Sequence, residues 1–123
     1  MNGPKTSQAE LDLDNISIVY WQDRIFDIAE AHGWWDRDAV VNLPEKISLM
    51  HSELSEALEE IREGRPGVWT DTNGKPEGWA IELIDCVIRI FDTLAFFSYD
   101  AAELIAMKSA YNNTRPYKHG KLL

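Results

Sequence analysis

A chain of 123 residues with 12 basic and 21 acidic side chains, net −9, and 45% apolar content suits one domain with a real core and argues against disorder. Its acidic surface repels phosphate backbones, which excludes a general binder of nucleic-acid polymers. A single cysteine excludes an internal disulfide framework and a CxxC metal knuckle. That usage, the lack of a basic-then-apolar leader and the lack of a charge-free apolar run of about 18 residues lead to the expectation of a cytoplasmic protein without a membrane span.

Residues 1–14 are polar and carry no core pattern, so a flexible N-terminal tail is expected, followed by one domain over 15–123. From 16 to 32, Ile18, Trp21, Ile25, Ile28 and His32 recur at helical steps, and Gly33 ends the segment. Residues 34–41 read as a connector. Pro44 opens a second helix whose apolar stripe is Ile47, Met50, Leu54, Leu58 and Ile61, closed by Gly64. Residues 64–76 hold three glycines and two prolines and read as a loop of functional length. A third helix is expected over about 77–97. A fourth begins near Asp100, which stands at capping-box spacing from Glu103, and runs to about Asn112. No strand alternation is evident, and the expected fold is all-α with four helices.

The third helix is apolar all round, as a fully buried helix is, yet it carries Glu82, Asp85, Arg89 and Asp92 at steps of three, four and three. That spacing aligns them on one strip. Carboxylates in a dry core need a partner or a metal. One reading is a salt-bridge line that sets bundle register. The second helix offers another: Lys46, Leu49, Glu53, Glu56 and Glu60 form a strip beside its apolar stripe. Two facing helices then each present an acidic pair, Glu53/Glu56 and Glu82/Asp85, and four oxygen donors suit a hard cation such as Mg²⁺ or Mn²⁺. A di-iron site wants Glu-x-x-His pairs and zinc wants clustered His or Cys; His32, His51 and His119 provide neither.

The set Glu53-Leu-Ser-Glu56, 25 intervening residues, then Glu82-Leu-Ile-Asp85 resembles the MazG-like all-α nucleoside triphosphate pyrophosphohydrolases. The stretches HSELSEALEEIREG, KPEGWAIELIDCVIRIFD and KSAYNNTRPYKHGK extend the likeness over roughly residues 20–121. The resemblance implies a helical bundle in which Glu53, Glu56, Glu82 and Asp85 hold Mg²⁺, with Mn²⁺ as a substitute. The implied reaction converts a (deoxy)nucleoside triphosphate to the monophosphate and pyrophosphate, as in house-cleaning of nucleotide pools. Glu53 and Glu56 are the candidates to orient the attacking water.

After Glu103 no acid follows, while Lys108, Arg115, Lys118 and Lys121 do, so this end carries +4 and the rest −13. This tail is either a solubilising terminus or a clamp on substrate phosphates, with Asn112 on the same helix face as Lys108 and with Arg115 able to fork two phosphate oxygens. Trp34, Trp35 and Trp69 are either core or subunit contacts or platforms for a nucleobase. The resemblance favours a base pocket after the first helix, at Trp34 or Trp35 with His32 nearby. An apolar circumference on the third helix that four short helices cannot cover, together with the resemblance, predicts a homodimer or a dimer-based tetramer. The rival readings are a non-enzymatic helical assembly protein and a metal-dependent hydrolase of another phosphate ester.

Overall fold

The structure, a computed structural model, describes residues 8–36 and 40–121, with residues 8–15 described by their backbone alone. Residues 1–7 of the expected tail, 37–39 of the connector and 122–123 lie outside the described residues. The chain forms α1 (Gln8–Ala31), α2 (Leu43–Arg62), a short hairpin of β1 (Trp69–Thr70) and β2 (Pro76–Glu77), α3 (Trp79–Phe96), α4 (Ala101–Thr114) and a turn at Tyr117–Gly120. The all-α expectation holds, with two differences. Residues 8–14, expected as tail, are helical: periodicity reports which face is buried, whereas good helix formers such as Ala9, Glu10 and Leu11 extend a helix without it. The hairpin strands are two residues each, too short to show alternation.

Local chemistry sets the helix ends. Asn42 caps α2 by accepting the Glu45 N–H across 3.2 Å, with Pro44 in the first turn where no N–H is needed. Asp100 caps α4 by accepting from Ala102 and Glu103 at 2.9 and 3.4 Å. No helix among the described residues is long and apolar enough to cross a membrane.

Helix α3 is the centre of the arrangement. It packs most extensively on α2 and next on α1, while α4 rests chiefly on α1. Gln22 of α1 is buried and ties three segments together. Its amide N–H₂ donates to the carbonyls of Phe91 and Tyr99 at 3.3 and 2.9 Å, and its carbonyl accepts the Ala101 N–H at 2.9 Å. Trp35 is buried against Phe96, with ring centroids 4.4 Å apart, and donates its indole N–H to Asp92.

The hairpin fixes the start of α3 against the end of α2. Buried Glu60 accepts from Trp69 Nε1 at 3.3 Å and pairs with Arg65 at 3.2 Å. Gly78 sits at φ +117°, and a Cβ there would lie 2.2 Å from the Gly67 carbonyl oxygen, so this crossing requires glycine. The same Gly67 carbonyl accepts the Ala80 N–H in the first turn of α3.

Burial on α2 runs opposite to its hydrophobicity. Glu53, Ala57 and Glu60 face inward, whereas Ile47, Leu54, Leu58 and Ile61 of the expected core stripe are exposed. On α3 the buried residues are Glu82, Cys86 and Thr93, and Ile84 is 53% exposed. Trp21 of α1 is 58% exposed. A groove of about 450 Å³ between α1 and α3, lined by Ile18, Trp21, Ile25, Ile84, Ile88 and Phe91 among others, opens on this apolar surface. The expected core stripe of α2 is therefore corrected: within one chain the acidic strips pack together and the apolar stripes face outward.

Candidate metal centre

The spacing of three residues between Glu82 and Asp85 puts both carboxylates on one face of α3. The packing of α2 along α3 brings Glu53 opposite them. One carboxylate oxygen from each of Glu53, Glu82 and Asp85 falls within 4.8 Å of the others. Glu53 and Glu82 are each 8% exposed and Asp85 is half-buried. Glu56, the fourth predicted ligand, is exposed and lies outside this set of three, close enough for its carboxylate to act on Glu82.

The electrostatics show the crowding. Burial, hydrogen bonds with Glu56 and Glu53, and the charges of Glu56 and Asp85 push the Glu82 carboxyl up to about 8. Burial and the Glu53 charge raise Asp85. Glu53 feels the same burial, but the Arg89 hydrogen bond, the hydrogen bond with Glu82 and the Arg89 charge hold it below the usual carboxylate range. Without a cation, Glu82 therefore keeps a proton shared within the cluster at neutral pH. Arg89 Nε donates to Glu53 Oε1 at 2.7 Å, and this pair is the only ion pair the cluster makes among the described residues.

The donor set is all oxygen, from carboxylates on two rigid helices, and one arginine does not balance it. In donor chemistry such a set fits a hard divalent cation, which would compete with the proton and relieve the mutual repulsion. Glu60 and Asp92 stand apart from it: Glu60 is engaged by Arg65 and Trp69, and Asp92 by Trp35.

The cations nearest the acids are not those of the C-terminal tail. Among the described residues Lys108, Arg115, Lys118 and Lys121 make no ion pair with a carboxylate; Lys108 and Arg115 lie over Tyr111 and Lys118 over Tyr117. Lys108 also lines an apolar groove between α3 and α4, and Asn112 is exposed in the last turns of α4. Close to the cluster instead are Arg89 and, on the hairpin, Lys75, which pairs with Glu77 at 3.0 Å and whose charge is felt by Asp85 and Glu82. Arg89 was visible in sequence as part of the α3 strip; Lys75 carried no signal, because a loop has no periodicity.

Next to the cluster a small groove is lined by Trp34, Trp35, Lys46, Arg89, Asp92 and Thr93. Trp35 forms its buried wall, with Lys46 Nζ 4.5 Å from the ring centroid, and Trp34 is 67% exposed at its edge. His32 is exposed at the end of α1, with Nδ1 2.8 Å from the Ile28 carbonyl, and is not part of this lining. Trp69, an alternative platform in sequence, is used to fasten the hairpin to Glu60. No family model, curated protein or solved structure matches this chain.

Proposed function

We propose that this protein is a MazG-like, Mg²⁺-dependent nucleoside triphosphate pyrophosphohydrolase. The observation that carries the reading is the convergence of Glu53, Glu82 and Asp85 from two helices to within 4.8 Å, three of the four acids of the double motif, with Glu56 one turn along α2 from Glu53. A register-setting salt-bridge line accounts for the Arg89–Glu53 pair alone. It leaves Glu82 and Asp85 as buried and half-buried acids with raised pKa values, feeling Lys75 only at a distance and making no ion pair among the described residues, a costly arrangement for a purely structural line.

In this reading Glu53, Glu56, Glu82 and Asp85 hold Mg²⁺, and Mn²⁺ can replace it. A bound cation supplies charge neutralisation on the phosphates and a water of lowered pKa. Glu53 and Glu56 are the candidates to orient an incoming water and take its proton, and the exposure of Glu56 favours it. Water attacks the α-phosphorus, its proton passes to the carboxylate, the bond to the bridging oxygen breaks, and pyrophosphate leaves with that bond's electron pair. Of the two tryptophans beside the cluster, Trp34 offers exposed aromatic surface for the base, while Trp35 is buried behind it between Phe96 and Lys46.

The outward apolar stripes support a second subunit. Among the described residues no large side chain is fully buried, while Trp21, Leu58 and Ile84 are about half exposed, and exposed apolar surface of this kind marks a surface that a partner covers. A two-fold partner covering α1, α2 and α3 completes the bundle as a homodimer or a dimer-based tetramer. It also allows the basic tail to reach a neighbouring site.

The test is a panel of canonical and damaged (d)NTPs with Mg²⁺, scored for pyrophosphate. Pyrophosphate release that disappears in Glu82→Gln supports the reading. Orthophosphate release points to a different phosphate-ester hydrolase, and no turnover together with no Mg²⁺-dependent rise in Tm favours the assembly protein.

A further inference from the structure

Arg89 faces two ways. Its Nε is committed to Glu53 at 2.7 Å, inside the acidic cluster. The same side chain lines the groove shared with Trp34, Trp35, Lys46, Asp92 and Thr93. A guanidinium has five N–H donors in a planar fork, and among the described residues this one hydrogen bond is all that Arg89 makes. Lys46 is a second cation on the groove wall. The one acid of that wall, Asp92, accepts from the Trp35 indole and faces the charges of both Lys46 and Arg89, so the wall carries two cations against one anion. The groove thus presents fork donors and an ammonium directly beside the place where a cation would sit.

A divalent cation bound by Glu53, Glu82 and Asp85 changes what Arg89 experiences. In its absence the guanidinium is the counter-ion that keeps buried Glu53 ionised. With a cation on that carboxylate, Glu53 would no longer need Arg89 as its counter-ion, and the guanidinium would be repelled at close range. The freed fork would keep Asp92 as a neighbour that Lys46 also faces, and a phosphate chain beside the cluster would offer a stronger anion, with oxygens spaced for bidentate pairing.

We infer that Arg89 exchanges partners: it holds Glu53 while no divalent cation is bound, and turns to a phosphate oxygen of the substrate when the cation takes Glu53, with Lys46 as the neighbouring cation of that wall. The inference rests on the proposed metal-dependent reading of the site. It assigns phosphate-chain recognition to α2 and α3 of the same chain, in addition to anything the basic tail provides.

The exchange is tested by calorimetric titration of the full chain and of Arg89→Met and Arg89→Lys, first with Mn²⁺ alone and then with a preformed complex of Mn²⁺ and inorganic triphosphate. Removal of a competing cation predicts that Arg89→Met binds Mn²⁺ alone several-fold more tightly than the parent, and binds the triphosphate complex at least about tenfold more weakly. Arg89→Lys keeps a charge beside Glu53 and preserves the packing. It is expected to bind Mn²⁺ like the parent and the complex several-fold more weakly, because an ammonium cannot fork. Equal weakening of both ligands in Arg89→Met reduces Arg89 to a residue that positions Glu53 and overturns the exchange. Unchanged binding of the complex by either variant overturns the phosphate contact while the metal site stands. Absence of Mn²⁺ binding by the parent chain overturns the metal-dependent reading itself, and the exchange with it.

Discussion

Gln22 and Ala101, 79 positions apart in the chain, are joined by a hydrogen bond of 2.9 Å from the Ala101 N–H to the Gln22 side-chain oxygen. The bond satisfies the first backbone donor of α4, and the amide N–H₂ of Gln22 reaches two carbonyls around the end of α3. Gln22→Leu leaves the buried Ala101 N–H without a partner. The expected loss is about 1–3 kcal/mol, the usual cost of an orphaned buried group. It is read as a lower urea midpoint with an unchanged m-value, and an unaltered midpoint would show that water replaces the glutamine.

Asp85→Asn tests the cluster directly. It removes one ligand and one of several crowded negative charges. Turnover should vanish while helicity is retained, and the metal-free Tm should stay equal or rise. Mg²⁺ at about 100 times its Kd should stabilise the parent by about 2.7 kcal/mol and the variant far less. Near-normal activity of Asp85→Asn at saturating Mg²⁺ would remove Asp85 from the ligand set.

The pH dependence of the metal-free protein follows from Glu82. Its carboxyl is raised to about 8 in the folded chain against an ordinary value near 4.5. Between these values the folded state binds a proton that the unfolded state has lost, so stability falls as pH rises. Asp85, also raised, acts in the same direction. Glu53, held below its ordinary value, acts in the opposite sense, and only in acid. The metal-free Tm should therefore decline from about pH 5 to pH 8. Glu82→Gln should flatten the decline, and saturating Mg²⁺ should reverse it, because the cation competes with the proton. A flat profile for the parent chain would contradict the shared proton.

The outward apolar faces predict the assembly state. Sedimentation equilibrium at micromolar concentration should return at least twice 14.1 kDa. Ile84→Asp, which puts a charge into the α1–α3 groove, should shift the equilibrium towards monomer and lower activity in parallel. A stable, active 14.1 kDa monomer would refute the second subunit.

Truncation after Tyr111 removes Arg115, Lys118 and Lys121, none of which pairs with an acid among the described residues. KM should rise with kcat less affected, and Arg115→Lys should show part of the effect because the fork is lost. Mixing the truncated chain with Asp85→Asn subunits should restore activity if the tail serves a neighbouring site. Unchanged kinetics on truncation would leave the tail a solubilising terminus.

The sequence alone determined the helical class and the four acids. Steps of three and four place Glu53 with Glu56, and Glu82 with Asp85, on single helix faces whatever the tertiary context, since that follows from 3.6 residues per turn. Capping at Asp100 was legible for the same local reason. Which face of α2 meets α3 was not. Ile47, Leu54, Leu58 and Ile61 make the more hydrophobic stripe, yet Glu53, Ala57 and Glu60 turn inward. Hydrophobic periodicity reports that a stripe is to be covered, not which chain covers it. The partners of the charged groups were likewise a matter of packing. Arg89 pairs with Glu53 from another helix rather than with Glu82, Asp85 or Asp92 on its own, because the α2–α3 contact sets that distance at 2.7 Å. The hairpin that brings Lys75 near the acids hangs on Trp69–Glu60 and on the Gly67–Gly78 crossing, contacts between residues whose spacing in sequence carries no pattern.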